Sequence, residues 1–291
     1  MGAAMAGGEA EKNAVVLITG GTDGLGRAAA MLLAESGYRV FAVGRSAEKC
    51  TQLQETAAQK HLLLESFAVD VCDQSSVEHG VAAVLTKAGV IDVLINNAGV
   101  AYTATVEDMS MEDWRKQFET NVFGVVRMTQ AVLPHMRARS QGRILMTSSV
   151  LGLISPPGQG AYSATKHALE ALSAALRYEL YPFGIATVLV VPGYIDTGIQ
   201  QKGKALAKPY EAKFKTGPYA NVYVGAQKAE SSLSSGMTPE DYARVILRAV
   251  RAKTPEIRYS VGRRPRMVKL AKRLLPDSAL DAFIRKQYGI T

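Results

Sequence analysis

Tyr162 and Lys166 stand four residues apart in Tyr162-Ser163-Ala164-Thr165-Lys166. On a helix that spacing puts both side chains on one face, one turn apart. An ordinary tyrosine has a pKa of about 10, so it exchanges protons poorly at neutral pH. A neighbouring ammonium favours the phenolate, and Lys166 is expected to lower the Tyr162 pKa. The phenol could then give a proton to a carbonyl oxygen or take one from an alcohol. The plain alternative is a structural pair, since Tyr-x-x-x-Lys spacing arises often by chance. Upstream, Thr147-Ser148-Ser149 ends an apolar run and offers hydroxyls that could hold a substrate oxygen and steady charge on it.

A glycine-rich stretch reverses the odds for that pair. Thr19-Gly20-Gly21-Thr22-Asp23-Gly24-Leu25-Gly26 follows the apolar run Val15-Val16-Leu17-Ile18 and leads into a helical segment. Glycines let the chain turn sharply and let its backbone approach a pyrophosphate. The helix start then adds unpaired N–H groups and a positive dipole end. Such a turn between a buried strand and a helix predicts a dinucleotide site, with a ligand-free tight turn as the alternative.

These groups need a scaffold, and the hydrophobic pattern supplies one. Short apolar runs occur at Val15–Ile18, Val40–Val43, Leu64–Val69, Val90–Ile95, Ile144–Met146, Thr187–Val191 and Ile257–Val261. Segments of helical period separate them: Gly24–Ser36, Ala47–Gln59, Ser75–Lys87, Met111–Arg137 and Tyr162–Leu180. Strand–helix alternation with runs apolar on both faces predicts an α/β, doubly wound, mostly parallel sheet of about seven strands. Ligands of such sheets sit at the carboxyl ends of the strands. Residues 1–13 read as a flexible tail and 14–262 as one Rossmann-type dinucleotide-binding and catalytic domain. Within it, 198–236 reads as a substrate lid, and 263–291 as a basic amphipathic helical extension.

The spacing T-G-x-x-x-G-x-G, the turn Asn96-Asn97-Ala98-Gly99, the Tyr162–Lys166 motif and Pro192-Gly193 occur in that order between about Val15 and Thr197. Together they resemble the short-chain dehydrogenase/reductase family. The resemblance implies an oxidoreductase that moves a hydride between nicotinamide and a carbonyl or secondary alcohol. It makes Ser149 the oxygen binder and Tyr162 the proton-exchanging group, with Lys166 also holding the nicotinamide ribose. Asn121 becomes the water-holding member of a proton relay through Lys166. Asn is a poor residue inside a helix, so a buried amide at a local kink is its alternative. Gly20, Thr22, Asp23, Gly24, Leu25 and Gly26 would cradle the cofactor phosphates. Asp70 and Val71 would meet the adenine edge, and Asn97, Ala98 and Gly99 the adenosine side. Pro192, Gly193, Ile195 and Thr197 would position the nicotinamide amide.

The second strand ends in Gly44-Arg45-Ser46, without the acid that NAD-users place there for the ribose hydroxyls. Arg45 and Ser46 could hold a 2′-phosphate instead, which favours NADP(H) over NAD(H). Asp23 argues the other way, because similar NADP-users often carry a basic residue at that position. A looser resemblance to the hydroxysteroid and retinol dehydrogenase branch implies a bulky apolar, steroid-, retinoid- or lipid-like substrate. Met109, Val150, Leu151, Leu153 and Tyr194 are the expected pocket residues. A homodimer or homotetramer through the two long helices is also implied. A 3-oxoacyl thioester or keto-lipid-base reductase shares every core motif. A non-catalytic NADP-binding sensor or scaffold is the rival of another class.

The bulk properties exclude several other classes. The chain has 291 residues, 47% hydrophobic and 21% charged, as in soluble globular proteins. Cys50 and Cys72 form no metal-ligand spacing, so no metal is expected and a reducing compartment is the simplest reading. No apolar run reaches the ~20 residues needed to cross a bilayer. The first residues lack a basic stretch followed by an apolar one, so a cytoplasmic location is expected. Of the net charge of +8, much lies in Arg263, Arg264, Arg266, Lys269, Lys272 and Arg273. No aromatics interleave there, which argues against nucleic acid. That amphipathic segment could make a peripheral membrane contact or pack on the domain, and packing is the favoured reading.

Overall fold

The computed structural model describes residues 13–195, 203, 205–231 and 237–290. Seven strands form one sheet in the order β3-β2-β1-β4-β5-β6-β7, and every neighbouring pair is parallel. They are β1 (Val15–Thr19), β2 (Arg39–Gly44), β3 (Leu64–Ala68), β4 (Val93–Asn96), β5 (Gly142–Thr147), β6 (Ile185–Pro192) and β7 (Arg258–Val261). All five residues of β1 are buried, as a strand covered on both faces requires. The order reverses between β1 and β4, so a crevice opens where their carboxyl ends diverge.

Helices cover both faces. Val16 and Ile18 point to one core, shared with Leu33 of α1 (Gly24–Glu35) and Tyr242 and Ile246 of α9 (Pro239–Arg251). Leu17 and Phe41 point to the other. There they meet Val77 of α3 (Gln74–Ala88), Met128 of α5 (Gly124–Ala138) and Leu169 of α6 (Gly160–Glu179). Several helices start where the sequence supplies a cap. Asp23 caps α1, Ser46 caps α2 (Ala47–Gln59) and Asp73 caps α3. Thr238 and Asp241 close a reciprocal box at the start of α9.

The segment expected as one helix over 111–137 is interrupted. α4 (Met111–Phe118) passes through a wider π-helical turn, Glu119–Phe123, before α5 begins. Asn121 lies at the centre of that turn. Its amide bonds to Val100 outside the helix, so side-chain bonding replaces part of the regular ladder.

Beyond β6, α7 (Glu211–Thr216) and α8 (Ala220–Ser231) lie outside the sheet. The C-terminal residues form α10 (Arg264–Leu274) and α11 (Asp277–Tyr288), with Pro276 at the break. α10 packs on β7, and α11 packs on α8. No helix among the described residues is long and apolar enough to cross a membrane.

Candidate active site

A continuous cavity of about 1260 Å³ runs along the carboxyl edge of the sheet. Its first end is formed by the glycine turn after β1. Gly20 has φ +62° and Gly24 φ +49°, a region that favours glycine. A Cβ on Gly26 would lie 2.1 Å from the Gly20 carbonyl oxygen, so only glycine lets helix and turn come this close. Asn97 ties the neighbouring turn down, donating from Nδ2 to the carbonyls of Thr19 and Gly20 at 3.1 and 3.2 Å. The Thr19 hydroxyl accepts from the N–H groups of Asn97 and Ala98. Gly20, Thr22, Asp23, Gly24, Leu25, Gly26, Arg45, Ser46, Val71, Asn97, Ala98 and Gly99 all line this end. Asp70 is not among the lining residues. Its carboxylate accepts from the Cys72 N–H at 2.9 Å, while Val69 and Val71 face the cavity.

Lys49, in the first turn of α2, was not singled out from the sequence. Its ammonium lies 2.5 Å from the Asp23 carboxylate and lines the cavity beside Arg45. The carboxylate that argued against a 2′-phosphate is therefore charge-paired. Arg45, Ser46 and Lys49 together present two cations and a hydroxyl at the end of β2.

The reacting centre lies at the middle of the cavity. α6 brings Tyr162 and Lys166 to one face, with the Lys166 nitrogen 5.5 Å from the centre of the Tyr162 ring. The ammonium donates to the Thr147 carbonyl at 2.7 Å, which fixes it to the end of β5. The expected lowering of the tyrosine pKa is absent. Burial pushes Tyr162 up to about 12, and a hydrogen bond with Ser149 pulls it back only in part. Burial also draws Lys166 down to about 8. Both groups resist charge where water is excluded. At neutral pH Tyr162 is thus a neutral acid beside an ammonium.

Ser149 begins the short turn Val150–Gly152 and accepts from the Leu151 N–H at 3.1 Å. Ser148 turns away from it and donates to Glu170 at 2.7 Å. Glu170 is also held by a two-pronged contact from Arg258 of β7. Asn121 is fully buried. Its oxygen accepts from the Val100 N–H at 2.8 Å, and its nitrogen donates to the Val100 carbonyl and the Thr165 hydroxyl. The amide therefore clamps the Asn97–Val100 turn to α6. A Cβ on Gly99 would sit 3.3 Å from the Asn121 oxygen and 3.9 Å from the Lys166 nitrogen, so these three residues do meet.

The far end is apolar. Val150, Leu151, Ile154 and Pro156 line it together with residues of α10 and α11. Phe214 and Tyr223 cover it, their rings 3.9 Å apart. Tyr223 is pinned by its hydroxyl to Thr105 and Asp108. Pro192, Gly193, Tyr194 and Ile195 line the cavity between centre and far end, whereas Thr197 lies outside the described residues. Of the expected pocket residues, Val150, Leu151 and Tyr194 line it and two others do not. Met109 packs in a satellite cluster with Tyr102 and Tyr210, and Leu153 packs on the core.

The sequence model of the short chain dehydrogenase family matches residues 14–206. The chain belongs to this family. It is 37% identical over 279 residues to an uncharacterised oxidoreductase, YusZ, of Bacillus subtilis, covering 94% of this chain and 98% of that one. It is 34% identical over 278 residues to a 3-ketodihydrosphingosine reductase of Bacteroides thetaiotaomicron, covering 95% and 98%. A solved short-chain dehydrogenase from Streptomyces avermitilis superposes with a TM-score of 0.76 at 30% identity, over 97% of this chain and 99% of that one.

As a short-chain dehydrogenase, the protein is an NAD(P)-dependent oxidoreductase of carbonyl and alcohol groups. Its members' glycine, Asn-Asn-Ala-Gly and Tyr-x-x-x-Lys motifs all converge on one cavity. Sequence reasoning missed Tyr242 as well as Lys49. The Tyr242 hydroxyl is buried between the Thr147 hydroxyl, 2.7 Å away, and the Asn97 oxygen, to which it donates at 3.2 Å. It links the turn below the cofactor cradle to the strand that holds Lys166. No local pattern marks it, since it reads as one more apolar position of α9.

Proposed function

We infer that this protein is an NADPH-dependent reductase of a ketone carried on a long apolar chain. The observation that supports this most is the cavity itself. One end carries Arg45, Ser46 and Lys49, the middle carries a protonated phenol, and the other end is apolar. The residues fit a dinucleotide phosphate. The Gly26 contact leaves no room for a side chain, and the start of α1 offers N–H groups toward the cavity. When bound, the dihydronicotinamide supplies the hydride.

The chain's residues supply the rest. Arg45, Ser46 and Lys49 hold the 2′-phosphate by charge and hydrogen bonding. Ser149 holds the substrate carbonyl oxygen, and Tyr162 gives its phenolic proton to that oxygen as negative charge develops. Lys166, protonated below about pH 8, holds the ribose hydroxyls and stabilises the phenolate left behind. Asn121 keeps the Asn97–Val100 turn against α6 so that both groups stay aligned. A neutral acid suits reduction better than alcohol oxidation, which needs a base. α7 and α8 act as the lid that covers the apolar end. The relative that reduces 3-ketodihydrosphingosine supports a lipid-like ketone over a compact polar one.

The test is NADPH consumption with a series of 3-ketones of increasing chain length. Each methylene buried is worth ≈0.8 kcal/mol, so kcat/KM should rise about fourfold per methylene until the trough is full. A flat response to length, or equal use of NADH, would contradict the reading.

A further inference from the structure

Arg264 is unlike every other basic residue of the C-terminal extension. Arg263, Arg266, Lys269, Lys272 and Arg273 are all exposed. Arg264 is half-buried and lines the cavity. Its Nη1 is buried with no hydrogen-bond partner, and no ion pair to its guanidinium exists among the described residues. Nη1 itself is sealed from the cavity, but the remaining guanidinium nitrogens have no protein partner among the described residues and are open to one that enters it.

Its place in the fold says what that partner is. Pro265, the next residue, abuts Gly193: a Cβ there would lie 3.5 Å from Pro265 Cδ. Arg264 therefore enters the cavity beside the Gly193–Tyr194 segment, between the reacting centre and the apolar trough. The other charged residues lining the cavity, among those described, are Asp23, Arg45 and Lys49 at the adenosine end and Lys166 at the centre. The cofactor's phosphates already have receptors in the glycine turn and in Arg45, Ser46 and Lys49. An anion at Arg264 is thus left to the substrate.

We propose that Arg264 is a specificity-determining residue that binds an anionic head group of the substrate, close to the ketone. The substrate class is a long-chain ketone carrying a carboxylate, sulfonate or phosphate at its polar end. The planar fork of the guanidinium matches two oxygens of such a group. The chain then runs between Met267, Val268 and Ala271 of α10 and Leu280, Phe283 and Ile284 of α11. This inference rests on the reductase reading above and adds the charge of the substrate to it.

The experiment compares two probes with the full-length protein and NADPH: a long-chain oxo-alkane sulfonate and the hydroxy-ketone of the same length. Wild type should favour the sulfonate in kcat/KM, mainly through a lower KM. Arg264→Met should cut that preference about 10- to 100-fold, the range expected for losing a charged hydrogen-bonded contact. Arg264→Lys should recover part of it. The dissociation constant for NADPH, read by its fluorescence, should not change in either variant. A wild-type preference of one, or a preference that survives Arg264→Met, overturns the anion site while leaving the reductase reading in place. Weakened NADPH binding in Arg264→Met, with both ketones affected alike, also overturns it and gives Arg264 to the cofactor. A protein that reduces neither ketone overturns the reductase reading and this inference with it.

Discussion

At the adenosine end of the cavity nearly every lining residue lies in a turn that follows a strand or in the first turn of the helix after it. At the apolar end the walls come from Val150–Pro157, α7, α8, α10 and α11, all outside the sheet. The first end is polar and tied by many short bonds: Asn97 to Gly20, Lys49 to Asp23, Ser46 to the start of α2. The second is loosely held, and Met267 and Phe283 leave 67% and 63% of their surface exposed. A sheet edge fixes what must bind a constant ligand. Added helices shape what varies with the substrate.

Several changes would break or sharpen that contrast. The largest expected effect comes from the buried support beneath the reacting centre. Arg258→Met leaves the Glu170 carboxylate in place without its charged partner, at 15% side-chain exposure. Breaking such a pair costs about 3 kcal/mol, seen as a lower midpoint of thermal unfolding. Tyr242→Phe removes both the Thr147 and the Asn97 contacts and should cost about 1–3 kcal/mol. It should also weaken cofactor binding and turnover together, because it joins the two strands that carry them. If only stability moved, the link between the cradle and β5 would be passive.

Smaller effects follow at the ends. Arg45→Asp should shift the ratio of NADPH to NADH use by roughly tenfold or more toward NADH, with Lys49 retaining part of the phosphate affinity. An unchanged ratio would remove Arg45 from the phosphate site. The pH profile is a gentler test. Lys166 is drawn down to about 8, so it is an ammonium below that pH and a neutral amine above it. Reduction at saturating NADPH should therefore hold level toward neutral pH and fall as pH rises through about 8. A rate that climbed through that range would mean that the phenolate is the active form.

How much of this could be read from the sequence follows the same division. The inner strands and the helix of Tyr162 and Lys166 were legible, because a strand buried on both faces is continuously apolar and a helix repeats every turn; the edge strands β3 and β7 carry a mixed pattern and were read from fewer apolar residues. The glycine turn was legible because its chemistry is local. Lys49 was not, since its partner Asp23 lies 26 residues away and only the fold brings α2 against the loop. Tyr242 is separated from Asn97 by 145 residues. Arg264 sits in a run of cations, and only packing separates the one turned inward from those in solvent. The helix predicted through Asn121 failed at one point, where its side chain competes with the backbone ladder. The tyrosine pKa was misjudged for a related reason: charge pairing is visible in spacing, but exclusion of water is not.

The most direct test of the account is Tyr162→Phe, which removes the one proton the mechanism passes to the substrate and little else. With NADPH and a long-chain ketone, turnover should drop by about 10² to 10⁴, while NADPH binds as tightly as to wild type. Turnover within a few-fold of wild type in a variant that still binds NADPH would contradict it.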